Sequence, residues 1–250
     1  MGWVRGRLIE VQLAFMLLSR LPAGTLSGKA PSLATSRWAF PLVGTIIGGI
    51  IALSYGGLSF TGLPPIIAAL LALSLGLLAT GALHEDGLAD SADGMGGGHD
   101  RERKLAIMKD SHIGSYGVLA LIMVMGLRAV GLASLPPHFD MIALIITISI
   151  FSRTIMVAYL CLLPSARDTG LGEMASGQTY KPLFFATALS LPMMAFCGVT
   201  ILPSLIVMVI VAFGFALMAK RHIGGQTGDI CGAGQMLSET AGWLSLLVIL

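Results

Sequence analysis

The sequence predicts an all-α fold, a polytopic integral membrane bundle of six to seven transmembrane helices with an N-terminal interfacial helix. Three observations lead there. The chain of 250 residues is 55% hydrophobic and only 11% charged. A soluble domain carries about 25% charged residues, so this chain could not cover a globule with polar surface and belongs in a lipid bilayer. Its apolar residues fall into runs of about 20, the length that crosses the hydrocarbon core as a helix. The charges are gathered between those runs: residues 84–117 hold seven of the thirteen acidic residues and four of the fifteen basic ones.

The chain reads as one domain, 1–250, with polar loops near 84–113, 164–182 and 220–235. A net charge of +2 gives no reason to expect nucleic acid. Cys161, Cys197 and Cys231 are odd in number and widely spaced, which suits small buried residues rather than disulfides or a metal site.

In chain order, Leu8–Leu18 follows Arg5 and Arg7 and is broken by Glu10 and Gln12. A cleaved signal would need an uninterrupted apolar core. The stretch therefore reads as an amphipathic helix in the interface or a partly buried first helix. Trp38–Leu58 is the first span, with Gly44, Gly48 and Gly49 as places for close helix contact. Gly62–Leu83 follows, opening with Pro64 and Pro65. Gly114–Leu135 and Phe139–Leu163 span again. Leu183–Ala219 has the length for two spans, with Pro203 near the turn. Met236–Leu250 is a short, marginal seventh.

Arg5, Arg7, Arg20, Lys29 and Arg37 precede the first span. With that end cytoplasmic, all three polar loops share its side, carrying Arg167, Lys181, Lys220 and Arg221 among others. The opposite connections, 59–61, 136–138 and the turn near Pro203, contain no Lys or Arg. Positive residues favour the cytoplasmic side, so the working loops are expected to face the cytoplasm. The small-residue spans would also suit packing between subunits in a homo-oligomer.

Asp86, Asp90 and Asp93 are spaced i, i+4, i+7 and line one narrow helical stripe. Stacked carboxylates repel unless cations sit between them. Mg²⁺ takes oxygen ligands, commonly one or two carboxylates plus substrate phosphate, so the stripe reads as a platform for Mg²⁺ and a diphosphate. Glu85 lies about 100° round the helix, close enough for a second ion or a supporting contact. A solvated helix end is the plain alternative. The run Gly94–Gly98 would end the helix and free amides for an anion. Asp100 suits an N-cap for a helix Arg101–Lys109, whose Arg101, Arg103, Lys104 and Lys109 could bind phosphate. Lys109 and Asp110 form a more pointed cluster where the chain returns to the membrane.

Arg128 and Arg153 lie within spans, where an ionisable residue is usually paired or functional. Each could neutralise an acidic residue or a substrate phosphate. In the third polar loop, glycines flank Thr227 and Asp229, and Asp229 reads as a further metal ligand or a general base. Arg167, Asp168 and Glu173 in the middle loop share that ambiguity. His84 and His112 flank the acidic stretch and could exchange protons near neutral pH.

The segments HEDGLADSADG at 84–94, RERKLAIMKDSHIGSYG at 101–117 and GGQTGDICGA at 224–233 resemble the hallmark segments of the cobalamin (5′-phosphate) synthase family, the adenosylcobinamide-GDP ribazoletransferases. Arg20-Leu21-Pro22 and the stretch from Trp38 to Gly44 are similar to its N-terminal region. The resemblance implies a membrane-embedded, Mg²⁺-dependent enzyme. It would join adenosylcobinamide-GDP to α-ribazole or its 5′-phosphate and release GMP. It also implies roles: Glu85, Asp86, Asp90 and Asp93 match the acidic, metal-holding motif, and Lys109, Asp110 and Asp229 match other polar positions. On this reading Asp93 or Asp229 accepts the proton, Lys109 and Asp110 assist, and His84, Arg101, Arg103, Arg153 and Thr227 contact substrate.

Two other readings compete. CDP-alcohol phosphotransferases also combine a membrane helix with spaced aspartates, but they carry an Ala-Arg pair after the first Asp-Gly, where this chain has Leu88-Ala89-Asp90. A cation transporter would place carboxylates near the bilayer midplane, often within inverted repeats. Here they cluster at the ends of spans.

Overall fold

The computed structural model describes residues 2–26, 28, 30–177 and 179–249, so Lys29 lies outside the described residues. Among these, the chain is helical, and the single β-bridge joins Ser165 to Gln226.

Helix α1 (Gly2–Leu18) buries Ala14 and Leu18 and exposes Trp3, Val4, Leu8 and Met16. Glu10 fastens it, accepting from Arg7 at 2.8 Å and from the Trp38 indole at 2.6 Å. It is thus buried on one side and apolar on the other, as both readings of the first helix require. The short α2 (Leu33–Ser36) leads through a 3₁₀ turn into α3 (Phe40–Ser59). Next come α4 (Pro65–Thr80), α5 (Leu83–Gly97) and α6 (Arg101–Ile107). The chain continues through α7 (Ser115–Ser134), α8 (Phe139–Leu162), α9 (Leu171–Ala175), α10 (Lys181–Cys197), α11 (Leu202–Ile223) and α12 (Gly228–Ile249).

Helix α8 stands at the centre, packed by α3, α10, α11 and α12. Its approach to α3 depends on absent side chains. A Cβ on Gly44 would lie 2.6 Å from the Ser149 carbonyl oxygen, and one on Gly48 would lie 2.6 Å from the Ser149 Cβ. Small residues let helices close together where lipid supplies no hydrophobic drive. Gly49 meets nothing within 4 Å and takes no part in this contact.

Four stretches are long and apolar enough to span: Leu33–Ser59, Ser115–Ser134, Asp140–Leu162 and the 43-residue run Lys181–Ile223. Helices α4 and α5 qualify as a fifth only together, bent by 91°. The expected six to seven spans thus exceed the four or five that qualify. One reason is that Lys181–Ile223 is continuous in helical residues, although Gly198 (φ +64°) breaks it into α10 and α11, which both pack on α8. The other is α12, which carries polar residues through its middle.

The bend after α4 comes from two successive left-handed residues, Gly81 (φ +67°) and Ala82 (φ +57°). Glycine adopts that conformation freely, whereas alanine pays about 1–2 kcal/mol. The turn takes α5, with four carboxylates in fifteen residues, out of the span and along the polar end of the bundle.

All three polar loops meet at that end. Arg101 ties them, donating to the carbonyl oxygens of Ile223 and Ala166, each at 2.9 Å. At the opposite end the Tyr55 hydroxyl donates to Leu135 O at 3.0 Å.

Candidate active site

Helices α5 and α12 come together through facing glycines. A Cβ on Gly87 would meet Asp229 O at 2.9 Å, and one on Gly232 would meet the His84 Cα at 3.3 Å. That contact sets Asp86 and Asp90 of α5 beside Asp229 of α12. Burial, and then the Asp229 and Asp86 carboxylates, push Asp90 up to about 7, with Arg167 working the other way. Neighbouring negative charge makes ionising one more carboxyl costly, so this group attracts a cation.

Asp229 is held by two donors on one oxygen. Thr227 is the N-cap of α12: its Oγ1 accepts from the Ile230 N–H and donates to Asp229 Oδ2, both at 3.2 Å. Arg167 Nη1 pairs with the same oxygen at 3.1 Å, while Nη2 donates to Leu105 O at 3.3 Å. The two loops behind them are stitched together. Gln226 N–H donates to Pro164 O, and Ala166 N–H donates to Gln226 O, both at 2.8 Å. A cavity of about 180 Å³ opens here, lined by His84, Asp86, Arg167, Glu173, Thr227 and Asp229 among others.

The donors suit a hard divalent cation, since carboxylate oxygen is what Mg²⁺ prefers. No three of the described His, Cys, Asp and Glu side chains converge on one point. Mg²⁺ commonly takes one or two protein carboxylates and completes its shell with phosphate and water, a requirement that two neighbouring aspartates meet.

Other expected site residues are placed differently. Asp93 is buried, and its two oxygens accept from the backbone N–H groups of Gly114 (2.7 Å) and Gly117 (2.9 Å). It caps the start of α7, satisfying amides that the helix leaves unpaired. Glu85 points Oε2 into the bundle, where the atom is buried. His84 is buried between the cavity and that interior. Arg101 serves the two carbonyls named above. Arg103 is exposed, and its N–H donates to Asp100, the N-cap of α6, at 2.8 Å. Lys109 and Asp110 lie in the exposed loop before α7 and do not line the cavity. Asp110 instead pairs with His112 Nδ1 at 2.7 Å.

The run Gly94–Gly98 continues α5 through Gly97 rather than presenting free amides. These glycines admit neighbours: Lys104 and Met108 against Gly94, and the Tyr116 ring against Gly96. Arg153 and Arg128 share a buried acid, Glu239 of α12, which the sequence reading did not find. The signal was there, because two arginines at membrane depth require an anion and Glu239 lies inside an apolar segment. Arg167, first read as ambiguous, proves central through its pair with Asp229.

The cobalamin-5-phosphate synthase family model matches residues 10–247. The chain is 39% identical over 239 residues to the adenosylcobinamide-GDP ribazoletransferase of Bradyrhizobium diazoefficiens, covering 94% of this chain and 92% of that one. The protein of that name from a Sinorhizobium species is 39% identical over 265 residues, covering 99% and 100%. That from Mesorhizobium japonicum is 36% identical over 233 residues, covering 93% and 90%. No solved structure matches the chain.

Proposed function

The chain belongs to the cobalamin-5-phosphate synthase family, and on that premise we propose that it joins adenosylcobinamide-GDP to α-ribazole or its 5′-phosphate, releasing GMP. It is a transferase of cobalamin synthesis. The observation that carries the site assignment is the Gly87 contact, which sets Asp86 and Asp90 beside Asp229, with Asp86 and Asp229 lining the polar cavity.

A hydroxyl of the ribazole attacks the phosphorus bonded to the corrinoid side chain. A new P–O bond forms as the bond to GMP breaks, and GMP leaves with the bridging oxygen. Asp229 accepts the hydroxyl proton. Arg167 and Thr227 fix its Oδ2, so the carboxylate meets the nucleophile in one orientation. The Arg167 guanidinium also brings positive charge to the diphosphate. Asp86 and Asp90 would hold Mg²⁺, which when bound neutralises negative charge on the transferring and leaving phosphates. Asp93 supports the site from behind by anchoring α7.

The basic residues at this end and their absence from the opposite connections favour a cytoplasmic active site in a bacterial inner membrane. Family membership favours this transfer over lipid-type phosphotransfer or cation transport. Asp86→Asn and Asp90→Asn, shown to be folded and membrane-inserted, should each lose turnover by roughly 100-fold or more. Near-normal turnover in both would remove the metal platform from the mechanism.

A further inference from the structure

Inside the bundle, charged groups from four helices meet: Glu85 of α5, Arg128 of α7, Arg153 of α8 and Glu239 of α12. Glu239 is wholly buried and crowded with donors. Its Oε1 takes Arg128 Nη2 at 2.7 Å. Its Oε2 takes Arg153 Nη1, Gln235 Nε2 (2.6 Å), Ser152 Oγ (2.8 Å) and Ser149 Oγ (3.2 Å). One glutamate thus faces two arginines, leaving one positive charge without a counter-charge. An unbalanced buried charge is strongly destabilising.

The fourth group supplies the balance. Glu85 Oε2, Arg128 Nε and Nη1, Arg153 Nε, His84 Nε2 and Gln235 Oε1 are all buried without a hydrogen-bond partner among the described residues. All five residues line one chamber of about 20 Å³. A polar chamber above ~10–15 Å³ with two to four partners holds a water. We propose that Glu85 is the counter-charge of Arg128, joined to it through a water in this chamber, and is a positioning residue rather than a cation ligand.

The pairing fixes the rotation of α5. With Glu85 turned inward and Asp93 bound to the start of α7, Asp86 between them lines the cavity and Asp90 lies beside Asp229. The pair rests on the fold alone; its consequence for turnover rests on the proposed transfer.

The test is thermal unfolding of the full-length detergent-purified protein in EDTA at pH 8, for Glu85→Gln, Arg128→Gln, the double variant and Asp90→Asn. Neutralising a member of a repelling carboxylate cluster raises the midpoint when no cation is present, as Asp90→Asn should. Glu85→Gln should instead lower it by roughly 5–10 °C. The double variant should fall by clearly less than the sum of the singles. In the GMP-release assay, Glu85→Gln should reduce turnover without raising half-activating Mg²⁺, whereas loss of a direct ligand would raise it. A raised midpoint for Glu85→Gln in EDTA, strict additivity in the double variant, or that Mg²⁺ shift overturns the proposal. If the unmodified protein releases no GMP, the transfer reading fails, and the unfolding cycle still decides the pair.

Discussion

Gly87 of α5 rests on the main chain of Asp229 in α12, so close that a Cβ would meet the Asp229 carbonyl oxygen at 2.9 Å. Backbone cannot swing aside as a side-chain tip can, so Gly87→Ala must push the two helices apart. A displacement near 1 Å at a reacting centre costs on the order of 100-fold in rate. Gly87→Ala should therefore lose turnover by roughly 10- to 100-fold and keep its far-ultraviolet circular dichroism. Unchanged turnover would mean that the α5–α12 spacing does not set the chemistry.

Asp93 and Asp90 lie one helical turn apart and should respond oppositely to neutralisation. Asp93 satisfies two amides at the start of α7, and losing such a cap costs about 0.5–2 kcal/mol. Asp93→Ala should lower both the unfolding midpoint and turnover. Asp90→Asn should abolish turnover while holding or raising the midpoint in EDTA. Equal destabilisation by both would place Asp90 among the structural groups.

The position of Asp90 near 7 sets a pH dependence. Between about pH 4 and pH 7 the folded chain keeps a proton that an unfolded aspartate has lost. Stability of the metal-free protein from this group therefore falls as pH rises through that window and is level above it. A cation requires the carboxylate, so half-activating Mg²⁺ should fall as pH goes from 6 to 8, and Asp90→Asn should flatten that trend. Titrating GMP release with Mg²⁺ at three pH values checks it.

Arg101 bonds two backbone carbonyls rather than an anion. Hydrogen bonds from a charged donor contribute about 1.5–3 kcal/mol each. Arg101→Ala should unfold at lower temperature with KM for adenosylcobinamide-GDP nearly unchanged. A large rise in KM at constant stability would return Arg101 to phosphate binding.

The helical membrane class, the long spans and the acidic stripe were legible because each is a periodic or compositional signal. The start of α12 was not. The stretch 220–235 reads as a loop because its glycine, threonine and aspartate favour turns, yet α11 runs on to Ile223 and Gly228 onward is helix. There Thr227 supplies the cap, and Gly232 and Gly234 admit the His84 backbone and the Tyr159 ring. Only the packed partners show that these glycines serve close contact rather than flexibility. Likewise, the i, i+4, i+7 spacing grouped Asp93 with Asp86 and Asp90, but spacing cannot reveal that the start of α7 captures Asp93. Sequence spacing also cannot pair Arg167 with Asp229, 62 residues apart and joined by two loops that meet only in the fold.

The most direct test gives the purified protein, in detergent or liposomes, adenosylcobinamide-GDP, α-ribazole and Mg²⁺, and follows GMP with and without EDTA. GMP released only when ribazole and Mg²⁺ are both present, alongside a completed corrinoid, is the predicted result. No GMP from folded protein, or the same yield in EDTA, would contradict the proposed Mg²⁺-dependent transfer.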